Sequence, residues 1–315
     1  MISNSTNMIS RSLIAIFVCL LFVQGCHDSP TAPIDEPFVN QDVVFFSRRA
    51  GTRNIFAMSS DGSNVRQVTH YTEGDFYPAA VSPDGTKLLF YRMDSSTMTE
   101  AIYLMEFGGP EPSVPIAHGR ASNFTQDGRQ FTYAQHSWAL GHDLVFVFDF
   151  RDSTSRQVTP DSVHCWDPSI SPDGTRIAYS VWRSPPFSNQ VLYISDVHGR
   201  NETVLVPTGG YRYCTNARFA PDGNSVYFTG QTDRTTGICS IIPGAQNAVW
   251  ITGQTPNPDG APCPDTKGNV VFFHRGSDQI SHILSIRVDG TQTTLLTDGD
   301  TSDRNPVVGF VKRFP

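Results

Sequence analysis

Short runs of apolar residues recur along most of this chain, and each run follows a tight turn. Residues 88–91, 131–134, 177–180 and 226–229 are dominated by aromatic and aliphatic side chains, and an Asp-Gly pair precedes each of them. A fifth, degraded copy leads from Cys263-Pro264-Asp265 into residues 270–273. Runs of this length, bounded by turn residues, predict strands rather than helices.

The turn aspartates lie 43 to 49 residues apart; they are Asp84, Asp127, Asp173, Asp222 and Asp265. This period predicts a β-propeller of four-stranded blades. Within each four-stranded repeat, the third and the fourth strand can each be counted six times along the chain. The segment 43–46 matches a second strand but has no first strand before it, and the segment 305–309 matches a first strand but has no second strand after it. We therefore predict an all-β, six-bladed β-propeller over residues 42–315. It is closed by pairing of the C-terminal strand with the N-terminal blade, which removes the open sheet edges.

Residues 1–26 are predicted to be an export signal, because Arg11 precedes an apolar stretch over residues 13–23. The stretch ends in Val23-Gln24-Gly25-Cys26, which resembles a bacterial lipobox and predicts a lipid anchor on Cys26. An ordinary cleaved signal peptide with an incidental cysteine is the alternative. Residues 27–41 contain prolines and aspartates and predict a flexible tether. We expect a lipid-anchored protein of the cell envelope, in the outer membrane, on its periplasmic or surface-exposed face.

The net charge and the absence of known motifs argue against several classes of function. The net charge is −7 and no basic cluster is present, which argues against nucleic-acid binding. The signatures of serine hydrolases, zinc proteases and phosphate-binding loops are absent, so the chain is predicted to be no enzyme and to need no cofactor. Asp-Gly is what a tight turn requires, so the repeated aspartates are interpreted as structural, not as metal ligands. The histidines occupy unequal repeat positions, which disfavours a shared metal site; they are His70, His118, His164 and His274.

Four cysteines follow the signal. Cys165 and Cys214 occupy the same place in neighbouring repeats, and a disulfide between them is sterically reasonable in an exported domain. The alternative is that they remain thiols, as we expect for Cys239 and Cys263.

The repeats resemble those of a known family. Pro-Asp-Gly before an aromatic strand, then Ile-Tyr, Asp-Gly and Leu-Thr, looks like the WD-repeat-like propeller repeat of the TolB family. Matching stretches are residues 54–62, 82–92, 171–179 and 295–297. The likeness covers about residues 43–310 and implies the fold, but little about function, because unrelated proteins use this propeller. TolB carries a separate α/β domain before its propeller, whereas only the tether precedes the first strand here.

The loops that enter the innermost strands differ between repeats and are rich in Tyr, Trp and Arg, which dominate binding hot spots. We predict that they bind a protein or peptide of the envelope at one mouth of the channel through Tyr77, Arg120, His164, Trp166, Arg212, Tyr213, Asn216, Asp303 and Arg304. The alternative is that the aromatic residues only plug the channel. Two longer loops, over residues 136–143 and 182–189, add Trp138 and Phe187 on the same side; packing over a blade edge is their alternative role.

Two other functions remain open from the sequence. A six-bladed hydrolase or lyase acting on carbohydrate, with or without a metal, would need carboxylates near the axis, and the plausible donors are Asp75, Asp259, Asp300 and Asp303. A structural member of an envelope complex would need no small ligand at all.

Overall fold

The computed structural model describes residues 42–94, 96–183, 189–206, 210–253 and 257–311. All regular structure in these ranges is β-strand, and none of it is a helix long and apolar enough to cross a bilayer. The predicted export signal with Cys26, the tether and Phe187 lie outside the described residues.

The strands form six four-stranded antiparallel blades, as predicted. Blade 1 contains β24 (Asp303–Gly309), β1 (Asp42–Ala50), β2 (Thr52–Ser59) and β3 (Arg66–Gln67). Blade 2 contains β4 (Asp75–Val81), β5 (Lys87–Asp94), β6 (Thr99–Glu106) and β7 (Ala117–His118). Blade 3 contains β8 (Arg120–Phe124), β9 (Gln130–Ser137), β10 (His142–Asp149) and β11 (Thr154–Gln157).

The remaining strands form the other three blades. Blade 4 contains β12 (Cys165–Ile170), β13 (Arg176–Arg183), β14 (Asn189–Asp196) and β15 (Thr203–Val204). Blade 5 contains β16 (Tyr213–Phe219), β17 (Val226–Gln231), β18 (Thr236–Ile241) and β19 (Val249–Trp250). Blade 6 contains β20 (Asp259–Pro264), β21 (Val270–Gly276), β22 (Ser281–Arg287) and β23 (Thr294–Leu295).

The ring is closed by β24, which pairs antiparallel with β1 in the register Val43↔Val308 and Val44↔Val307. This confirms the predicted closure, in which the C-terminal strand is the innermost strand of the N-terminal blade. A single parallel pairing, Arg53↔Asp75, also joins blade 1 to blade 2.

The Asp-Gly turns have the structural role that the sequence indicates. Asp173 Oδ1 accepts hydrogen bonds from Ser171 Oγ (2.5 Å) and from the Thr175 N–H (3.0 Å), and Gly174 has a φ of +72°. Asp127 makes the same contacts with Thr125 and Arg129. The carboxylate therefore stabilises a bend whose next residue must adopt a positive φ, which only glycine does without cost.

In the structure, the fifth copy of the turn aligns with the other copies two positions away from the alignment that the sequence pattern suggests. The Asp265 N–H donates to the Val270 carbonyl (2.8 Å), which is the bond that Ser82 makes with Lys87 at the start of its turn. Asp265 Oδ1 accepts the N–H groups of Asn269 (2.7 Å) and Val270 (2.9 Å). Asp265 therefore replaces the serine that opens the turn, not the Asp of Asp-Gly.

The core lies between the blades, where second and third strands of neighbouring sheets interdigitate. Phe90, Phe131, Tyr179, Phe228 and Phe272 all come from second strands and are almost fully buried. Because these side chains fill the space between sheets, the inner strands are left free to line the channel.

Candidate functional site

The inner strands of all six blades surround the central channel, and each carries a register irregularity. In four of the six inner strands, the residue at the irregularity has a positive φ of 48° to 54°. These residues are Asp167, Asn216, Ala261 and Asn305. Such bulges re-aim side chains. The result is a narrow cavity of about 80 Å³ with a mainly polar lining that includes Arg120, Asp167 and Arg218.

The channel has two chemically distinct mouths. We call one the loop mouth; it is formed by the connections into the inner strands and by those between second and third strands. The other is the turn mouth, formed by the Asp-Gly turns and their equivalents at residues 82–87, 125–130, 171–176, 220–225 and 265–270. All nine predicted binding residues come from the first or middle part of inner strands or from the preceding loops, so they lie on the loop-mouth side.

Arg120 is at the centre of an ion network between blades 2 and 3. Its guanidinium pairs with Glu100 (3.4 Å) and with Asp143, whose other oxygen lies 2.7 Å from His136 Nδ1. Burial lowers the pKa of Arg120, but Glu100, Asp167 and Asp143 outweigh this, and the net pKa is raised. Burial also raises the pKa of Glu100, against the attraction of Arg120. Arg120 is therefore a fixed cation in the channel wall.

Asp167 and Asn216 join blades 4 and 5. Asp167 Oδ2 accepts the Asn216 backbone N–H (3.2 Å) and its side-chain amide (3.4 Å). Burial raises the pKa of Asp167, and Arg120 and these hydrogen bonds oppose the shift. Asn216 thus has a structural contact in addition to the binding role predicted from the sequence.

An aromatic patch follows on the rim between blades 4 and 5. The ring centroids are 4.5 Å apart for His164 and Trp166, 6.0 Å for Trp166 and Trp182, and 6.4 Å for Trp182 and Tyr213. Three of these four residues were predicted. Trp182 was placed in a loop, but it is the penultimate residue of β13 and links the two predicted groups. Burial lowers the pKa of His164, so the imidazole in this patch is neutral at pH 7.

Arg212 extends the aromatic patch toward solvent. Its side chain is exposed and pairs with Asp233 (3.1 Å), while its backbone is bonded to Gln231 (2.7 Å) and Gln190 (2.9 Å). The main chain is therefore fixed, and the guanidinium is free to exchange its exposed partner for a ligand.

Tyr77 and Arg304 line a second hollow of about 400 Å³ on the loop-mouth side, between blades 5, 6, 1 and 2, and Asn216 of blade 5 also lines it. Tyr77 stacks on Tyr91 (5.1 Å) and its hydroxyl accepts from Arg53 (3.3 Å). Arg304 pairs with Asp278 and donates to His274 Nε2 (3.1 Å). Because arginine can only donate, His274 is neutral with its proton on Nδ1, and burial lowers its pKa to about 3.

Asp303 does not join this group at the mouth. Its side chain is fully buried and its Oδ2 accepts from Arg49 (2.6 Å), with which it forms an ion pair inside blade 1. The predicted residues thus separate into the Arg120 network, the aromatic patch and the Tyr77–Arg304 hollow, with Asp303 apart from all three.

Trp138 has a highly exposed aromatic side chain, at 70%. It packs edge-on against His136 (4.7 Å) and walls a hollow of about 160 Å³ together with Met98 and Glu100. Exposed aromatic surface of this kind is typical of interaction sites.

Of the four carboxylates considered for an enzyme, three form ion pairs with arginines and the fourth is exposed to solvent. Asp75 pairs with Arg53, Asp259 with Arg275 and Asp303 with Arg49, while Asp300 is exposed. Within the described ranges, no group of three or more His, Cys, Asp or Glu side chains could hold a metal ion.

The possible disulfide between Cys165 and Cys214 is not formed in the structure. Cys165, Cys214, Cys239 and Cys263 are all free thiols. Burial raises the pKa of Cys165 and Cys239 to about 12. Cys165 packs in the core between blades 3 and 4 and Cys214 in the core between blades 4 and 5, so the two thiols lie on opposite faces of blade 4, where each packs as a small apolar residue.

Arg218, a cation in an inner strand, is a channel residue that was not among the predicted ones. Arg218 lies on β16 and lines both the central cavity and the turn mouth, a hollow of about 380 Å³ that is otherwise largely apolar. A charged residue between the buried apolar residues Ala217 and Phe219 was the signal that could have identified it.

Comparison with known proteins identifies the propeller type. No protein-family profile matches the chain. Residues of this chain are 24% identical over 148 positions to a protein TolB homolog of Chlorobium chlorochromatii, and 28% identical over 167 positions to one of Chlorobium luteolum. The crystal structure of TolB from Acinetobacter baumannii superposes with a TM-score of 0.71 at 16% identity, covering 85% of this chain and 66% of that one. The chain carries a TolB-like six-bladed β-propeller.

The TolB-like propeller is a shared architecture. The matches cover 44% and 50% of this chain but only 30% and 34% of the two Chlorobium proteins. A structure titled as a nidogen/laminin complex also superposes, with a TM-score of 0.62 at 11% identity over 87% of this chain and 100% of that one. At such identities the likeness shows the fold, and function must be argued from the site.

Proposed function

We propose that this chain is a non-enzymatic lipoprotein of the cell envelope, anchored through Cys26, whose propeller binds a protein or peptide at the loop mouth. The observation that supports it most is the aromatic patch of His164, Trp166, Trp182 and Tyr213, beside the exposed Arg212. Aromatic side chains bury a large area at low entropic cost, and Arg adds directional donors.

The arrangement around the patch suits recognition better than catalysis. The Arg120 network supplies fixed polar groups whose partners are already in place, so it can orient a ligand without reorganising. The Tyr77–Arg304 hollow lies on the same side, so a bound segment would extend across the mouth and contact both. TolB homologues among the relatives agree with an envelope protein whose partner is a protein.

The proposal is tested by capturing partners from an envelope extract with the purified protein and measuring the affinity of each identified partner. The triple variant Trp166→Ala, Arg212→Ala, Tyr213→Ala should lose at least about tenfold in affinity, because each is an expected hot spot. The matched control is Arg156→Ala, Val249→Ala, Leu295→Ala, three exposed residues of outer strands. Equal affinity for the two triple variants would place the site elsewhere.

A further inference from the structure

The guanidinium of Arg218 is a channel cation without an ionic partner among the described residues. Its Nη1 donates to the hydroxyl of Ser122 on blade 3, across the channel. Asp167 is the carboxylate that influences it most, but Asp167 already accepts two bonds from Asn216. Burial raises the pKa of the neighbouring Cys263 thiol, so that thiol is neutral at pH 7. A buried charge that lacks a counter-charge is unfavourable.

The surroundings of Arg218 on its open side are apolar. The turn mouth is walled by the rings of Phe124, Phe219 and Phe310 and by prolines of the repeated turns, among them Pro83, Pro172 and Pro221. Phe310 is 44% exposed at the rim. Asp265 is the one carboxylate of the described residues in this lining; its Oδ1 accepts two backbone N–H groups, and its Oδ2 is buried.

These features select a class of ligand. An anion would pair with Arg218, and the apolar wall would exclude water from its remaining part. Proline rings offer no N–H donors, so most carbonyls of a peptide lying along this wall would stay unpaired, the amides of Asn123 and Gln126 and the hydroxyls of Thr125 and Thr266 being the neutral side-chain donors in the lining. A plain alkyl chain has no such groups to satisfy.

We propose that the turn mouth binds an alkyl carboxylate, with its carboxylate paired to Arg218 and its chain along the proline and phenylalanine wall. This site is separate from the loop mouth and does not depend on the function proposed there.

Calorimetric titration of the full-length chain with decanoate, below its micellar concentration, tests the proposal. Decanoate should bind more tightly than decanol. Octanoate should bind more weakly than decanoate by roughly fourfold for each methylene removed. Arg218→Gln should reduce decanoate affinity to that of decanol, whereas Arg156→Gln, on an exposed outer strand, should change nothing. Phe310→Ala should weaken both ligands equally.

Equal binding of decanoate and decanol, unchanged binding in Arg218→Gln, or no binding of decanoate would each overturn the proposal. An apolar peptide with a free carboxyl terminus that binds through Arg218 when decanoate does not would assign the site to a peptide terminus instead. The loop-mouth triple variant should bind decanoate normally, so failure of one site leaves the other interpretable.

Discussion

The loop mouth and the turn mouth are built from the same six inner strands, yet their chemistry differs. At the turn mouth the chain makes the same tight bend in five of the six blades, and Asp-Gly recurs in four of these turns, three times after a proline. At the loop mouth the connections have different lengths and no shared bend. Side chains there are free to differ, and the Arg120 network and the aromatic patch lie on that side.

The largest expected effect concerns backbone shape on the two sides. Gly199 and Gly141 have nearly the same φ, +77° and +73°, but a Cβ at Gly199 would lie 2.1 Å from the Val158 carbonyl oxygen, whereas Gly141 faces open space. Gly141→Ala should cost about 1 kcal/mol of unfolding free energy from φ strain alone. Gly199→Ala should cost about 3 kcal/mol or more, because the clash with backbone adds to it. Chemical denaturation measures both; equal losses would contradict this packing difference.

Within the loop mouth, two arginines should behave differently. Arg120→Gln should lower the unfolding free energy by about 2 kcal/mol, because Glu100 and Asp143 keep their charges in a partly buried site. Arg212→Gln should change it by less than about 0.5 kcal/mol, since its pair with Asp233 is exposed. Thermal and urea unfolding of both variants provide the comparison. A small effect at Arg120 would mean that solvent already screens the network.

The two sides should also respond oppositely to pH. At the turn mouth, hydrogen bonds from the turn hydroxyls and N–H groups lower the pKa of Asp127 and Asp173 below the ordinary value of 3.8. Their stabilisation is present above that value and is lost as the pH falls through the folded pKa. At the loop mouth, burial raises the pKa of Glu100 and Asp167, so these groups reduce stability as the pH rises through their ordinary values.

Carboxyl ¹³C NMR titration resolves the four groups individually. We expect Asp127 and Asp173 to titrate below 3.8, and Glu100 and Asp167 to titrate above their ordinary values. In Asp173→Asn the acid limb of the stability curve should become shallower. Similar pKa values on both sides would remove the electrostatic part of the comparison.

The smallest expected effect on stability is at Trp138. Because its side chain is 70% exposed, Trp138→Ala should behave as an ordinary surface substitution and change the unfolding free energy by no more than about 0.5 kcal/mol, measured by urea denaturation. Its effect should appear instead in partner affinity. A marked loss of stability would show that Trp138 packs over the blade edge, and it would contradict the role of Trp138 as a contact residue for a partner.

The fold could be predicted because its determinants are local and repeated. Asp-Gly turns fix the phase of each blade, and the two incomplete ends of the repeat series required the pairing of β24 with β1. The register of the last copy was wrong, because Asp265 stands at the opening position of the turn and accepts both the N–H that Ser82 accepts and the N–H that Asp84 accepts in the first copy. A serine hydroxyl and an aspartate carboxylate thus accept the equivalent backbone N–H in two copies of the turn.

The candidate site was less predictable because side-chain contacts between blades leave no periodic signal. Nothing local distinguishes Asp303, which is buried against Arg49, from a rim aspartate. Trp182 reaches the aromatic patch only because its strand extends to Arg183, three residues beyond the apolar run over residues 177–180. Arg218 stands out locally as a charge between apolar neighbours, but its contact with Ser122 on the opposite wall of the channel leaves no local signal.

The assignment of partner binding to the loop mouth is tested most directly by photo-cross-linking from one exposed aromatic position on each side. Benzoylphenylalanine replacing Trp138 reports on the loop mouth, and the same residue replacing Phe310 reports on the turn mouth. The account predicts that irradiation in envelope extract links a defined protein to position 138 and none to position 310. Protein cross-links confined to position 310 would contradict it.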